Sequence, residues 1–474
     1  MNDDWDSKKY KHFHELFMQN LKGTSFTETF MAVTPLFFSV FLSTLFSLIH
    51  TSSQGLNFYN FCIDFFLIVF LPILCFTVLS NSIPLVVIVL CTFSLITLFY
   101  FINCHRNIYV NCGMTDVWSS HITELRKPFI TNFRALTNVL SAICILAVDF
   151  RVFPRRFAKT ETFGYGLMDT GVGLYCIANS IVSPEVLHHE MKTFHSLLQS
   201  FQKSLKSCIP LLILGVMRFF TIKQIDYQVH ISEYGVHWNF FLTLAVAKLL
   251  SSLVMSLCDI KYSFLLSVII IGIHECILQC GMQDWVLSDA ARDSFLSANR
   301  EGIFSSLGYI ALYLSGVSLG YMLRSTAMTF REKFMTNLKL TGLSVLLWTC
   351  VSVSQNCLRI SRRLANAGYF LWILTFSITA LAIFLIMELV TRVLYIKRKD
   401  APANQVYVPV LLEAVNYNGL GFFLLANLCT GLVNLYIKTL FIGPALSVFI
   451  VAVYMLVVCL CTFILYRIGC KLKL

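Results

Sequence analysis

Long apolar runs separated by short polar segments dominate the chain. A helix that crosses a bilayer needs about 20 apolar residues, because roughly 30 Å of hydrocarbon is crossed at about 1.5 Å per residue. The pattern predicts thirteen such helices, over 29–50, 57–80, 83–102, 131–150, 164–183, 204–222, 234–257, 260–280, 301–323, 337–354, 366–391, 416–435 and 441–466. The runs that open at Asn337 and Asn416 are more polar than the others, and a partly re-entrant hairpin is the alternative for both. An odd number of spans puts the two termini on opposite sides of the membrane.

The same pattern divides the chain into three parts. A polar segment over 1–28 precedes the first run, one multi-span region fills 29–466, and a short basic tail over 467–474 follows it. The first residues carry several charges and no short apolar stretch, so we expect no cleavable signal peptide. With no internal repeat and no long linker, the expectation is an all-α polytopic membrane protein with a single membrane domain.

Composition agrees with this fold class. Hydrophobic residues make up 57% of the 474 residues and charged residues only 13%, and mean hydropathy is +0.73, which is outside the range of soluble globular domains. Most of the seventeen cysteines lie in apolar runs, and no Cys or His pattern completes a metal site. The net charge of +11 is spread over many short loops, which favours contact with anionic headgroups over nucleic acid. Lys and Arg are shared equally between the two sides, so the charge bias does not decide orientation.

Charged residues concentrate where the fourth run ends, in the sequence ILAVDFRVFPRRFAKTE. Asp149 closes the run, Arg155 and Arg156 follow a proline, and Lys159 lies ten residues after the aspartate. One interpretation is a positive collar that binds lipid headgroups. The other is a site for a phosphate-bearing lipid or a thioester, with guanidinium groups on phosphate and Asp149 paired to Lys159 as an acid/base unit.

Further polar residues lie in or at the ends of apolar runs, where burial of a polar group in the membrane costs free energy. Asp169, in GYGLMDTGVG, requires a cationic partner if it is buried, and Arg134 on the preceding run is the nearest candidate in sequence. His237 opens a run, either as a substrate contact or as an interfacial hydrogen-bonding residue. Asn299 and Glu301 open another, either as a helix cap with an acidic first turn or as a polar wall of a substrate cavity.

Five motifs occur in order along the chain: ILAVDFRVFPRRFAKTETFGYGLMDTGVG, EYGVHWNFFLTLA, NREGIFSSLGYIALYLSG, SRRLANAGYFLWIL and NGLGFFLLANLCTGLVNL. Together they resemble the GPI-inositol acyltransferases, and the resemblance extends from about Leu21 to the last run. It implies an enzyme of the endoplasmic reticulum membrane. Such an enzyme transfers a fatty acyl chain, typically palmitoyl, from acyl-CoA to the inositol ring of glucosaminyl-phosphatidylinositol.

The resemblance also implies roles for residues. The aspartate and the lysine ten residues later, which the family pattern makes catalytic, fall on Asp149 and Lys159 with their spacing intact. Acyl transfer from a thioester needs a deprotonated hydroxyl, a stabilised oxyanion and aligned substrates. Asp149 is suited to accept the proton, and Lys159 is suited to orient that carboxylate or to stabilise the oxyanion. Arg155 and Arg156 are suited to bind phosphate. The substrate-cavity role of Asn299 and Glu301 rests on the resemblance alone.

The implied partners are glucosaminyl-phosphatidylinositol, acyl-CoA as co-substrate and membrane lipids, with no tightly bound cofactor and no nucleic acid. The resemblance puts the loop from Asp149 to Lys159 on the luminal side and the C-terminus in the cytosol. None of the eleven histidines precedes an aspartate by four or five residues, so the soluble His–Asp acyltransferase box is absent. The alternative function is a secondary transporter of an anionic solute, although no pair of matching halves is visible.

Overall fold

The computed structural model describes residues 21–49, 58–104, 114–123, 126–187, 194–225, 231–325, 327–355, 357–396 and 407–472, together with 10–19 except 11 and 15. Within these ranges, eleven helices are long and apolar enough to cross a membrane. The only strands of the described residues are a three-residue antiparallel pair, His121–Thr123 with Ala327–Thr329. The expectation of an all-α polytopic membrane protein is therefore confirmed.

The longer helices are labelled in chain order. They are α1 Phe26–Ile49, α2 Phe58–Phe76, α3 Ile83–Cys104, α4 Pro128–Ala147, α5 Thr170–Ser180, α6 Phe194–Ile225, α7 Phe240–Leu257, α8 Ser263–Ile277, α9 Arg300–Met322, α10 Phe330–Ser354, α11 Ala367–Ile396, α12 Val410–Tyr417, α13 Gly419–Tyr436 and α14 Pro444–Arg467. Shorter helices cover Met114–Ser119, Pro184–Leu187, Ile231–Tyr234, Gln283–Leu287 and Phe295–Ala298. Residues 65–70 of α2 and the extension of α8 over 278–282 are π-helical.

One predicted span differs from the structure. The run over 164–183 forms only the 11-residue helix α5, which is about 16 Å long and too short to cross a bilayer. The residues before it, Gly164 to Asp169, are turn and loop instead. The run over 204–222 forms part of the continuous 32-residue helix α6. The two runs suspected of being re-entrant form the continuous helices α10 and α13.

Four of the eleven helices, α1, α4, α9 and α11, are the most buried, and the short helix α5 packs among them. Small residues allow this close packing. A Cβ on Gly316 of α9 would lie 1.9 Å from the Ser180 hydroxyl oxygen, and one on Gly308 would lie 1.9 Å from the main-chain oxygen of Ala365. The helices around them expose apolar side chains, as a lipid-facing surface requires.

Contacts at the two ends of helix α13 show which segments lie on opposite faces of the membrane. Near its C-terminal end, Asn434 contacts Asp149, and just before its first residue Asn418 donates a hydrogen bond to the main-chain oxygen of Cys470. The 18 residues of α13 span about 27 Å. The C-terminal tail therefore lies on the face opposite to Asp149. The segment 10–19 lies on the Asp149 face, so the described ends of the chain are on opposite faces, as the odd number of spans predicts.

Candidate active site

The connection between α4 and α5 folds back into the protein. After α4 ends at Ala147, Pro154 is extended and starts a 3-10 turn over Arg155–Phe157. Phe150, Phe153 and Phe157 of this loop are fully buried. Because three aromatic anchors fix the backbone, the charged side chains between them take defined positions.

Asp149 is almost fully buried at the end of α4. Its Oδ2 accepts a hydrogen bond of 2.7 Å from the Asn434 amide, and its Oδ1 lies 3.8 Å from Nε2 of His14. Arg155 is close enough for its charge to be stabilised by Asp149. A buried carboxylate that is held by one neutral donor and faces an imidazole is a chemically competent proton acceptor.

Lys159 contacts a different carboxylate. Its Nζ lies 3.0 Å from Oε1 of Glu233, and no hydrogen bond or ion pair joins it to Asp149 in the described part of the chain. The direct Asp149–Lys159 pair expected from the sequence is therefore not formed. The reason is that the 3-10 turn and its buried aromatic side chains separate the two ends of the loop, and Glu233 arrives from a segment that is distant in sequence.

The ion pair of Lys159 is the first link of a longer chain of charges. Glu233 Oε1 also accepts from Nη2 of Arg362 at 3.2 Å, and Nε of Arg362 donates to Oδ1 of Asp169 at 2.8 Å. Arg362 and Asp169 are both almost completely buried, whereas Lys159 is 38% exposed. The network thus runs from a buried ion pair to a lysine amine that reaches solvent.

Asp169 is fixed on every side. Its Oδ2 accepts from the main-chain amide of Thr160 at 3.0 Å and from the Thr160 hydroxyl at 2.9 Å. The Tyr369 hydroxyl donates to its main-chain oxygen at 2.8 Å. Burial raises the pKa of Asp169, while the Arg362 charge and the Thr160 hydrogen bonds lower it. These contacts tie the end of the loop to α11.

The partner predicted for Asp169 was wrong. Arg134 instead donates to the main-chain oxygen of Ala178 at 3.0 Å and to Oδ1 of Asn416 at 2.8 Å. Arg134 lies 13 residues before the end of α4, about 20 Å along the helix axis from the loop. Proximity in sequence therefore did not bring it near the aspartate.

A second cluster surrounds the start of α9. Glu301 is fully buried and accepts two hydrogen bonds from Arg292, at 2.6 and 3.1 Å, with Nη2 of Arg363 at 3.5 Å. The Asn299 side chain makes no capping hydrogen bond. Its Oδ1 accepts from the main-chain amide of His237 at 2.8 Å. Asn299 therefore occupies the N-cap position of α9 with Glu301 in the first turn, but its side chain fixes the segment that carries the exposed His237 and does not cap the helix.

Arg362 and Arg363 join the two clusters. Arg362 contacts Asp169 and Glu233, and its neighbour Arg363 contacts Glu301 and donates to the main-chain oxygen of Glu161 at 2.9 Å. The structure thus brings the five sequence motifs together around one loop. The sequence motifs include Glu233, Arg362 and Arg363 but not Arg292, and none of these four was named as a site residue from the sequence. The sequence signal for Arg362 and Arg363 was the pair of adjacent arginines in SRRLANAG, which borders an apolar run as Arg155 and Arg156 do.

Arg155 and Arg156 do not form one joint clamp. Arg155 donates to the main-chain oxygen of Val148 at 2.6 Å and stacks on Phe17, with its guanidinium carbon 4.0 Å from the ring centre. Burial lowers the pKa of Arg155 to about 10, so it remains a cation at neutral pH. Arg156 points elsewhere and contacts Glu28 at 2.8 Å. Arg155 therefore belongs to the Asp149 side of the loop and Arg156 to the α1 side.

No group of three or more His, Cys, Asp or Glu side chains is arranged to hold a metal ion among the residues that the structure describes. The chemistry available here is that of carboxylates, amines, guanidinium groups and one imidazole. Such groups move protons and stabilise anions at a membrane face.

Known proteins are similar to this chain in sequence. The GWT1 family model matches residues 10–465. Glucosaminyl-phosphatidylinositol-acyltransferase PIGW of Mus musculus is 31% identical, over 98% of this chain and 99% of the mouse protein. GPI-anchored wall transfer protein 1 of Gibberella zeae is 33% identical, over 95% of this chain and 96% of its own length. An uncharacterised protein of Arabidopsis thaliana is 38% identical, over 69% of this chain and 71% of its own. The matched region includes both clusters of the candidate site.

Proposed function

Because this chain belongs to the GWT1 family, we propose that it is an inositol O-acyltransferase of GPI-anchor biosynthesis in the endoplasmic reticulum membrane. It transfers a fatty acyl chain, palmitoyl in our proposal, from acyl-CoA to the inositol ring of glucosaminyl-phosphatidylinositol. The full-length similarity to a glucosaminyl-phosphatidylinositol acyltransferase supports the reaction class. The observation that carries the proposal is the buried Asp149 at the membrane face where the family's motifs converge.

Asp149 acts as the general base in this proposal. The Asn434 amide occupies Oδ2, so Oδ1 is the oxygen that accepts the proton of the inositol hydroxyl. The deprotonated hydroxyl attacks the thioester carbonyl carbon, the C–O bond of the new ester forms, and the C–S bond breaks as coenzyme A leaves. A positioned base of this kind contributes about 10²- to 10⁴-fold to turnover.

Lys159 stabilises the oxyanion of the tetrahedral intermediate. Glu233 is shared between Lys159 and Arg362, so part of its negative charge is neutralised from the buried side. The amine is held in position but is not fully neutralised, and its 38% exposure lets it reach a substrate. Preorganised donors of this type supply much of the rate enhancement in acyl transfer.

The phosphate groups of the substrates bind to Arg155 and Arg156 in our proposal. Arg156 and Glu28 form a pair in which both side chains are about one-third exposed, and a phosphate is a stronger competitor for a guanidinium at such a site. Arg155 supplies positive potential beside Asp149. The exposed His237, beside the second cluster, contacts substrate in this proposal.

The remaining candidate residues position the segments around the loop. Asn299 holds the His237 segment, Glu301 anchors Arg292 and Arg363, and Asp169 holds the end of the loop through Arg362. We propose that the loop faces the lumen and the C-terminal tail the cytosol. The opposite placement of Asp149 and the tail across α13 agrees with this arrangement.

Acyl transfer by the purified chain tests the proposal. Protein in lipid nanodiscs receives radiolabelled palmitoyl-CoA and glucosaminyl-phosphatidylinositol, and the expected product is the inositol-acylated lipid. Labelled palmitate without coenzyme A is the control donor and should give no product. Uptake of an anionic solute by reconstituted vesicles, with no acylated lipid formed, would instead favour the transporter.

A further inference from the structure

The N-terminal segment 10–19 lies across the loop of the candidate site and is anchored at both ends. The Tyr10 hydroxyl lies 3.2 Å from that of Thr439, in the turn that follows α13. At the other end, the Phe17 ring stacks on Arg155. Anchors on both sides of His14 fix where its imidazole lies.

His14 occupies the open side of Asp149. Its Nε2 is 3.8 Å from Oδ1, the carboxylate oxygen that Asn434 leaves available. The Asp149 side chain is 5% exposed and the His14 side chain 23% exposed. The imidazole therefore lies between a buried carboxylate and solvent, where a group that carries protons is needed.

Other charged and titratable groups surround the imidazole. The charge of Arg155 interacts with Asp149, and the Tyr10 ring lies beside that of His14 in a tilted arrangement with ring centres 6.2 Å apart. The exposed Arg151 lies over Phe441, which Tyr10 also contacts. Asp149 and His14 therefore face each other with one guanidinium group, that of Arg155, close to the carboxylate.

We propose that His14 is the proton-relay residue of this site and acts through Asp149. The inference rests on the proposed function. The hydroxyl proton moves to Oδ1 of Asp149 as the C–O bond forms. As the C–S bond breaks, the imidazolium of His14 donates its proton to the coenzyme A thiolate, and Asp149 then passes the substrate proton to the neutral imidazole. One proton leaves the hydroxyl and one reaches the thiol, so the step is balanced.

The experiment compares His14→Gln with His12→Gln, a matched control at an exposed residue two positions away. We expect His14→Gln to lower kcat by about 10²-fold while KM for both substrates changes less than about 2-fold. The alkaline limb of the kcat–pH profile, where the imidazolium donor is lost, should disappear with it. Added imidazole should restore part of the turnover of His14→Ala. His12→Gln should match the wild-type protein in all three measurements.

Two outcomes would overturn the relay. Wild-type kcat and pH profile in His14→Gln would do so directly. A loss in His14→Gln that is equalled by Phe17→Ala, with the alkaline limb kept and no rescue by imidazole, would make His14 a docking residue only. Asp149→Asn, assayed alongside, separates this inference from the function beneath it. If Asp149→Asn is inactive while His14→Gln is normal, only the relay fails, and if Asp149→Asn is fully active, the proposed mechanism itself fails.

Discussion

Replacing Arg362 with glutamine should destabilise the protein and should do so more at neutral than at acidic pH. Arg362 is buried and contacts Asp169 at 2.8 Å and Glu233 at 3.2 Å. Arg362→Gln leaves the fully buried Asp169 without its counter-charge, and stranding a buried charge costs about 3–5 kcal/mol. Thr160 still donates two hydrogen bonds to it, which places the expected cost at the lower end, about 3 kcal/mol.

The pH dependence follows from the sign of the pKa shift. Burial raises the pKa of Asp169, and loss of the Arg362 charge raises it further. A carboxyl group whose folded pKa lies above its unfolded pKa stabilises the fold in its protonated form. That stabilisation is complete below the unfolded pKa and is lost as pH rises through the folded pKa. Arg362→Gln should therefore recover stability as the pH is lowered towards the unfolded value.

Thermal unfolding in detergent, followed at pH 7.5 and pH 5, measures this effect. We expect a midpoint roughly 5 °C below wild type at the higher pH and a smaller difference at the lower pH. The double variant Arg362→Gln/Asp169→Asn should regain part of the loss, with a coupling of about 2–3 kcal/mol between the two positions. Unfolding of Arg362→Gln at the wild-type temperature at both pH values would refute the reasoning.

Two further predictions test the loop and the packing. Glu233→Gln should lower turnover about 10-fold, because the neutral amide still accepts a hydrogen bond from the Lys159 amine but no longer forms an ion pair with it. Lys159→Ala, which removes the amine, should lower turnover more. Equal effects of the two variants in steady-state kinetics would contradict this. Gly308→Ala should cost about 1–3 kcal/mol in thermal unfolding, because its Cβ meets the main chain of Ala365, whereas Gly342→Ala, with nothing within 4 Å, should be neutral or stabilising. Equal stability of the two glycine variants would show that the helices move apart freely.

The apolar runs predicted most of the helices because lipid-facing and buried helix faces are both apolar. The prediction of a membrane span over 164–183 was wrong for the same reason. Irregular backbone is tolerated at membrane depth where protein surrounds it, so a buried loop there has the composition of a span. Gly166 and Leu167 in the loop before α5 are buried, and with the short α5 they have the composition of a span without forming a helix that crosses.

The candidate site was predictable as a region but not as a set of contacts. Asp149 and Lys159 were named from their motif, and both lie in the loop where the motifs meet. Their partners come from segments that are far away in sequence: Asn434 is 285 residues from Asp149, and Arg362 is 193 residues from Asp169. Spacing along one segment carries no information about such pairs, which is why Arg134 was assigned to Asp169 in error.

The turnover of Asp149→Asn, Lys159→Ala and the double variant tests the central claim most directly. The measurement is inositol acylation by purified protein, with binding of both substrates checked in parallel. Because the two side chains have separate partners, the account predicts losses of about 10²- to 10⁴-fold for Asp149→Asn with binding retained, and single losses that multiply in the double variant until the uncatalysed rate is reached. A double variant no worse than either single one would show that the residues act as one unit, and near-normal turnover of Asp149→Asn would remove the aspartate from the mechanism.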